Sequence, residues 1–159
     1  MKFVNRNVYR AVLDTNVFVS GGTISAGAPS QIINRWRNQD FVAIASPELL
    51  EEYSEVLLRP KVMKYTGLNI QETIQYMEEI ESRVYLTKGT LSLDVLTIDP
   101  DDNIVLACAE EGKATHLVTG NIKHFPIKEY KGIQIVKPID FLSLLPRKYE
   151  AKLKSLHRA

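Results

Sequence analysis

The chain alternates short apolar blocks with longer stretches in which apolar residues recur every three or four positions. Val8-Tyr9-Arg10-Ala11-Val12-Leu13 is too short for a helix and reads as a buried strand. Phe41-Val42-Ala43-Ile44-Ala45, Thr115-His116-Leu117-Val118-Thr119 and Ile133-Gln134-Ile135-Val136 have the same form. Between them lie helical patterns. Pro29 suits the first turn of a helix to about Asn38, with Ile32, Ile33 and Trp36 spaced three and four apart. Ser46-Pro47 is a cap followed by proline, and predicts a helix to about Leu58 that stops before Arg59-Pro60. Residues 61–82 read as helix with a break near Thr66-Gly67, and Ile70, Ile74, Met77 and Ile80 form its apolar stripe. Asp99-Pro100 repeats the cap signature and opens a helix to about Glu111. That helix is apolar on nearly every side, which places it between a sheet and another layer. A last helix is expected from Pro138 to Leu145. Strands alternating with helices predict βαβ units and a mainly parallel sheet with right-handed crossovers.

The polar residues at the strand ends carry the candidate chemistry. Asp14 ends the first strand, where open α/β sheets place their ligands. Asn16, two residues on, can bond the turn or orient that carboxylate. In the second helix Leu49, Leu50, Tyr53, Val56 and Leu57 define an apolar face. At about 100° per residue Glu52 falls at the edge of that face, whereas Glu48, Glu51 and Glu55 point to solvent. Asp99, Asp101 and Asp102 suit a helix start, yet three acids in four residues exceed what a cap requires. Two adjacent acids point in different directions, so one of Asp101 and Asp102 is expected to face the cleft. Asn121 follows Gly120 at the end of the third strand and can simply make a turn. His124 reads as a surface or packing residue. Oxygen donors arriving from separate loops select a hard cation, Mg²⁺ or Mn²⁺, over Zn²⁺.

Composition narrows this picture. The length of 159 residues suits one domain. The net charge of +1 hides an asymmetry: residues 147–159 carry five Lys/Arg and one acid, a net +4, which leaves −3 on the rest. The acidic body suits a cation, and Arg147, Lys148, Lys152, Lys154 and Arg158 could meet a polyanion or serve only to solubilise the tail. The chain is therefore divided into a domain over 1–146 and a basic tail over 147–159. One cysteine, Cys108, excludes an internal disulfide and reads as a small buried hydrophobe. No apolar segment approaches the ~20 residues of a membrane span, and Met1–Asn7 lacks the apolar core of a secretory signal, so a cytoplasmic protein is expected. Zinc-type Cys/His spacing, phosphate-binding glycine loops and a Gly-x-Ser-x-Gly elbow are absent from the sequence.

Together, Val12-Leu13-Asp14-Thr15-Asn16-Val17, Ser46-Pro47-Glu48-Leu49-Leu50-Glu51-Glu52-Tyr53, Asp99-Pro100-Asp101-Asp102-Asn103, Leu117-Val118-Thr119-Gly120-Asn121 and Ile135-Val136-Lys137-Pro138 resemble a PIN domain. The likeness is to the ribonuclease toxins of toxin–antitoxin systems related to VapC. It implies a three-layer α/β/α fold around a central, mainly parallel sheet of four to five strands. It puts the family's acids on Asp14, Glu52 and Asp102, with those three as metal ligands. It puts the fourth position on Asn121, nineteen residues after Asp102, where the family usually has Asp. Asn16 and Thr119 fall on supporting positions. The implied activity is Mg²⁺- or Mn²⁺-dependent cleavage of single-stranded RNA, with an antitoxin as partner and a homodimer as assembly.

Two other readings are open to these residues. Asn keeps an oxygen but loses the charge, which suits a catalytically degenerate RNA-binding or scaffold module. A phosphatase of the haloacid-dehalogenase type also begins with a strand-end Asp. That class wants Asp where this chain has Asn16, and a lysine near the later acids, of which Asp99–Glu111 contains none.

Overall fold

The computed structural model describes residues 9–94 and 99–146. β1 (Arg10–Leu13) leads into α1 (Thr15–Gly21) and α2 (Ala28–Arg37). β2 (Val42–Ala45) leads into α3 (Pro47–Leu57), α4 (Pro60–Thr66) and α5 (Ile70–Arg83). Then follow β3 (Tyr85–Leu86), α6 (Pro100–Glu111), β4 (His116–Val118), a 3₁₀ turn at Ile122–His124, β5 (Glu129–Tyr130), β6 (Ile133–Val136) and α7 (Pro138–Leu144). The strands form one sheet in the order β3-β2-β1-β4-β6-β5, parallel except for β5. The architecture is the expected α/β/α arrangement with a mainly parallel sheet. Two short edge strands, β3 and β5, extend it beyond the four to five strands anticipated.

From β1 the chain moves outward to β2 on one side, and β4 returns on the other. The point between β1 and β4 is therefore the topological switch, and a crevice opens there beyond the strands' C-terminal ends. Both strands are buried from end to end except at Arg10. α6 lies against β1, β2 and β4, with Val105, Leu106, Ala107, Cys108 and Ala109 all buried.

Local chemistry starts each helix at the required place. The Ser46 hydroxyl accepts from Leu49 N at 3.1 Å, and Asp99 Oδ1 accepts from Asp101 N at 2.9 Å. Gly67 closes α4 at φ 76°, a left-handed conformation that glycine adopts without strain, and Asn69 and Glu72 then form a reciprocal cap on α5. α1 is the helix that apolar spacing did not announce. It is held by its contacts: the Phe18 ring meets Tyr53, Trp36 and Tyr76 edge-on at 4.7, 5.5 and 6.3 Å. The Tyr76 hydroxyl also donates to Phe18 O at 2.7 Å.

Candidate active site

Asp14 stands at the end of β1, 5% exposed, and three groups fix its carboxylate. Oδ1 accepts from Thr15 N at 2.8 Å, which also caps α1. Oδ2 accepts from the Thr119 hydroxyl at 2.7 Å and from Asn16 Nδ2 at 3.1 Å. Asn16 turns its other atom outward, and Oδ1 accepts from Gly120 N at 2.7 Å. Asn16 and Thr119 thus tie the ends of β1 and β4 together around one carboxylate. A Cβ at position 120 would lie 3.0 Å from Asn16 Oδ1, a tight approach that glycine spares this hydrogen bond.

The phase of α3 places Glu52. Tyr53, fully buried, donates its hydroxyl to Leu13 O and so pins the helix to the end of β1. Glu52, half-buried, is then aimed at α1 and accepts from the Thr15 hydroxyl. Glu48, Glu51 and Glu55 are exposed, as the helical wheel predicts. Asp102, in the first turn of α6, is 6% exposed. Asp101 is exposed but also borders the cleft, so both adjacent acids face it, against the expectation that only one would. Asn121 is exposed at the cleft edge; its backbone N–H donates to the Thr119 hydroxyl at 3.0 Å, and its side chain does not cap the 3₁₀ turn.

His124, read as a surface or packing residue, is partly exposed, lines the cleft, and places its Nδ1 3.2 Å from Asp102 Oδ2. Three further residues carry site contacts that the sequence reading did not give them. Thr15 serves Asp14 through its N–H and Glu52 through its hydroxyl, and its position directly after Asp14 was the available signal. α4 brings Arg59 and Tyr65 to the rim. Arg147, Lys148, Lys152, Lys154 and Arg158 lie outside the described residues.

The resulting cleft has a volume of about 440 Å³. A roomier groove of about 620 Å³ lies between α2 and α5, but its Arg37 and Glu79 satisfy each other in a bidentate pair at 2.8 and 2.9 Å. The charges in the smaller cleft are not balanced. Burial raises the Asp14 carboxyl, against the hydrogen bonds from Thr119, Thr15 and Asn16. Burial also raises Glu52, and the charges of Asp14, Asp101 and Asp102 add to it. Asp102 is pushed up to about 6 by burial and by repulsion from Asp14 and Asp99, with His124 opposing. Among the described residues lining the cleft the only basic side chains are His124 and Arg59, and Arg59 pairs with Glu55 at 3.4 Å. Five acids, Asp14, Glu52, Asp99, Asp101 and Asp102, present oxygen donors to one space that these two basic groups do not balance, and such a space fits a divalent cation.

A profile of the PIN domain matches residues 10–123, which takes in Asp14, Glu52, Asp102 and Asn121. The chain belongs to the PIN-domain family. An uncharacterised protein of Methanocaldococcus jannaschii is 30% identical over 112 residues, 70% of each chain. Among solved structures, a chain from the VapBC2 complex of Rickettsia felis, bound to a DNA fragment from their promoter, superposes with a TM-score of 0.54. That match covers 80% of this chain and 98% of the other at 19% identity, and is a match of fold. The PIN domain is a nuclease fold, and in this PIN domain the acidic cleft lies at the sheet's switch point. Among the described residues no helix is long and apolar enough to cross a membrane.

Proposed function

We propose that this PIN domain is a metal-dependent endoribonuclease that cleaves single-stranded RNA, and that it is the toxin of a toxin–antitoxin pair. The observation that carries the reading is the convergence of Asp14, Glu52 and Asp102 on one cleft without a matching positive charge. Asp14, Asp102 and Glu52 would be among the ligands of Mg²⁺ or Mn²⁺. When bound, the cation acidifies a water and offsets the charge of the phosphate. The remaining work falls to the protein. Thr119, Asn16 and the Thr15 N–H hold the Asp14 carboxylate in place and oppose the rise that burial imposes on its pKa. Glu52, aimed into the cleft and held by the Thr15 hydroxyl, would add a further anionic oxygen for the cation. The raised pKa values express a site that favours positive charge, which a phosphodiester alone would not supply.

Arg59 and Tyr65 extend the reading to the substrate. Tyr65 is 62% exposed on the rim, and an exposed ring beside an arginine suits an unpaired base and its phosphate. The basic tail 147–159, following a single domain over 1–146, would add salt-sensitive RNA affinity through Arg147, Lys148, Lys152, Lys154 and Arg158. The fold match to a VapBC2 chain supports an antitoxin partner, and the family resemblance supports a homodimer and a cytoplasmic setting. One observation favours a second reading, a degenerate RNA-binding module: the neutral Asn121 at the fourth corner.

A single experiment separates the two. The protein, stripped with EDTA and resupplied with Mg²⁺ or Mn²⁺, should cleave single-stranded RNA. Asp14→Asn should lose at least about a hundredfold in rate with its circular dichroism unchanged, as expected when a group that stabilises charge in the transition state is removed. RNA bound but not cut by the wild type under either ion would support the degenerate module.

A further inference from the structure

Carboxylate chemistry alone does not require an imidazole in this cleft. Yet a donor atom from each of Asp99, Asp102 and His124 lies within 4.8 Å of the other two. They come from two places in the fold, the start of α6 and the turn after β4. Asp99 caps α6, Asp102 sits in its first turn, and His124 closes the 3₁₀ turn after β4. In capping α6, Asp99 Oδ1 accepts from Asp101 N at 2.9 Å. Asp102 Oδ2 and His124 Nδ1 are 3.2 Å apart. Neighbouring donors around an octahedral cation bound at ~2.2 Å are about 3.1 Å from each other. The chain that brings His124 inward is the one that offers only a neutral amide at Asn121.

We propose that His124 ligates the cation of this cleft together with Asp102 and Asp99, and that its nitrogen makes the site prefer divalent first-row transition ions over Mg²⁺. The inference deepens the reading of the cleft as a cation site and rests on it. Mg²⁺ demands hard oxygen donors and dehydrates reluctantly, whereas Mn²⁺ and the later ions accept imidazole. A nitrogen in place of the missing fourth acid therefore costs Mg²⁺ more than it costs Mn²⁺. His124 as a mere buttress of the Asp102 carboxylate would leave the ratio of the two affinities alone.

The test uses the full chain, stripped of metal and loaded with one equivalent of Mn²⁺. Pulsed electron paramagnetic resonance should detect ¹⁴N coupling to Mn²⁺ in the wild type and lose it in His124→Gln. Calorimetry should find Mn²⁺ bound at least about tenfold more tightly than Mg²⁺. In His124→Gln, Mn²⁺ affinity should fall about tenfold, while Mg²⁺ affinity changes less than about threefold, because the glutamine offers a neutral oxygen in the same place. Equal melting temperatures of the metal-free proteins exclude a folding defect. Wild-type Mn²⁺ without nitrogen coupling, or an equal loss of both ions in the variant, would overturn the inference while leaving an RNA-cleaving enzyme intact. Nitrogen coupling in a protein that cuts no RNA would uphold this inference and defeat the ribonuclease reading instead.

Discussion

Asp102 is nearly covered, at 6% exposure, and its carboxyl is pushed up from the usual 3.8 to about 6. A folded-state value above the unfolded one means that the native protein binds the extra proton between these limits, so stability falls as pH rises through them. The cost of the ionised group is fully present above about pH 6 and fades as pH falls toward 3.8. In EDTA, Asp102→Asn should therefore stabilise the protein by about 2–3 kcal/mol at pH 7.5 and by roughly half as much at pH 5. Urea unfolding of both proteins at the two pH values measures it, and a pH-independent difference would remove the charge argument. Glu52 and Glu51 make a second contrast between adjacent residues. Glu52→Gln should lower RNA cleavage at least about tenfold, whereas Glu51→Gln should leave the rate within about twofold, because only Glu52 reaches the cleft. Steady-state rates on one defined RNA decide the point.

Elements differ in how much of themselves they write into the sequence. β1, β2, β4 and β6 were legible because each is an apolar run at a recognisable length, and α3 and α6 because Ser46-Pro47 and Asp99-Pro100 are local start signals. Glu52 was legible for a related reason: once Leu49, Tyr53 and Leu57 are buried, the helical period leaves little choice. α1 was not, since Thr15, Val17 and Val19 favour strand locally, and its helix rests on the distant rings of Tyr53 and Tyr76. β3 and β5 are two residues each, too short to carry a period. His124 escaped because its partner lies 22 residues earlier, on α6, and a lone histidine in a loop has no local signature. α4 was read as helix, but its side toward the cleft became visible only in three dimensions, where Arg59, Val62 and Tyr65 repeat every three residues along the rim. Tyr65→Ala should weaken binding of single-stranded RNA by about 1–3 kcal/mol and leave the cleavage rate at saturating RNA nearly unchanged, as loss of one stacking platform would. Fluorescence anisotropy in EDTA gives the affinity free of chemistry. A drop in the saturated rate alone would place Tyr65 in the chemistry rather than in binding.

For the molecule as a whole, the sheet order sets where chemistry can occur, and the acids gathered there set how stable the domain is without a ligand. β1 and β4 part at the switch point, and their ends are held together by Thr119 and Asn16 on the Asp14 carboxylate. The acids gathered around that carboxylate raise one another's pKa values, so part of the folding free energy goes into keeping like charges together. A cation that binds the folded cleft and not the unfolded chain should recover it. At a hundredfold excess over its dissociation constant such an ion contributes about 2.7 kcal/mol, which for a domain of this size corresponds to a rise of roughly 5–10 °C in melting temperature. Scanning calorimetry with and without Mn²⁺ measures the shift. Its pH dependence carries the sign: the gain should be largest above pH 6, where Asp102 must be ionised, and should shrink toward pH 5 as protons compete for the same carboxylate. Asp14→Asn should abolish most of the shift, since it removes one anionic oxygen donor from the set. A Mn²⁺ effect that survives this substitution, or that grows on acidification, would mean the ion stabilises the protein from somewhere other than the cleft.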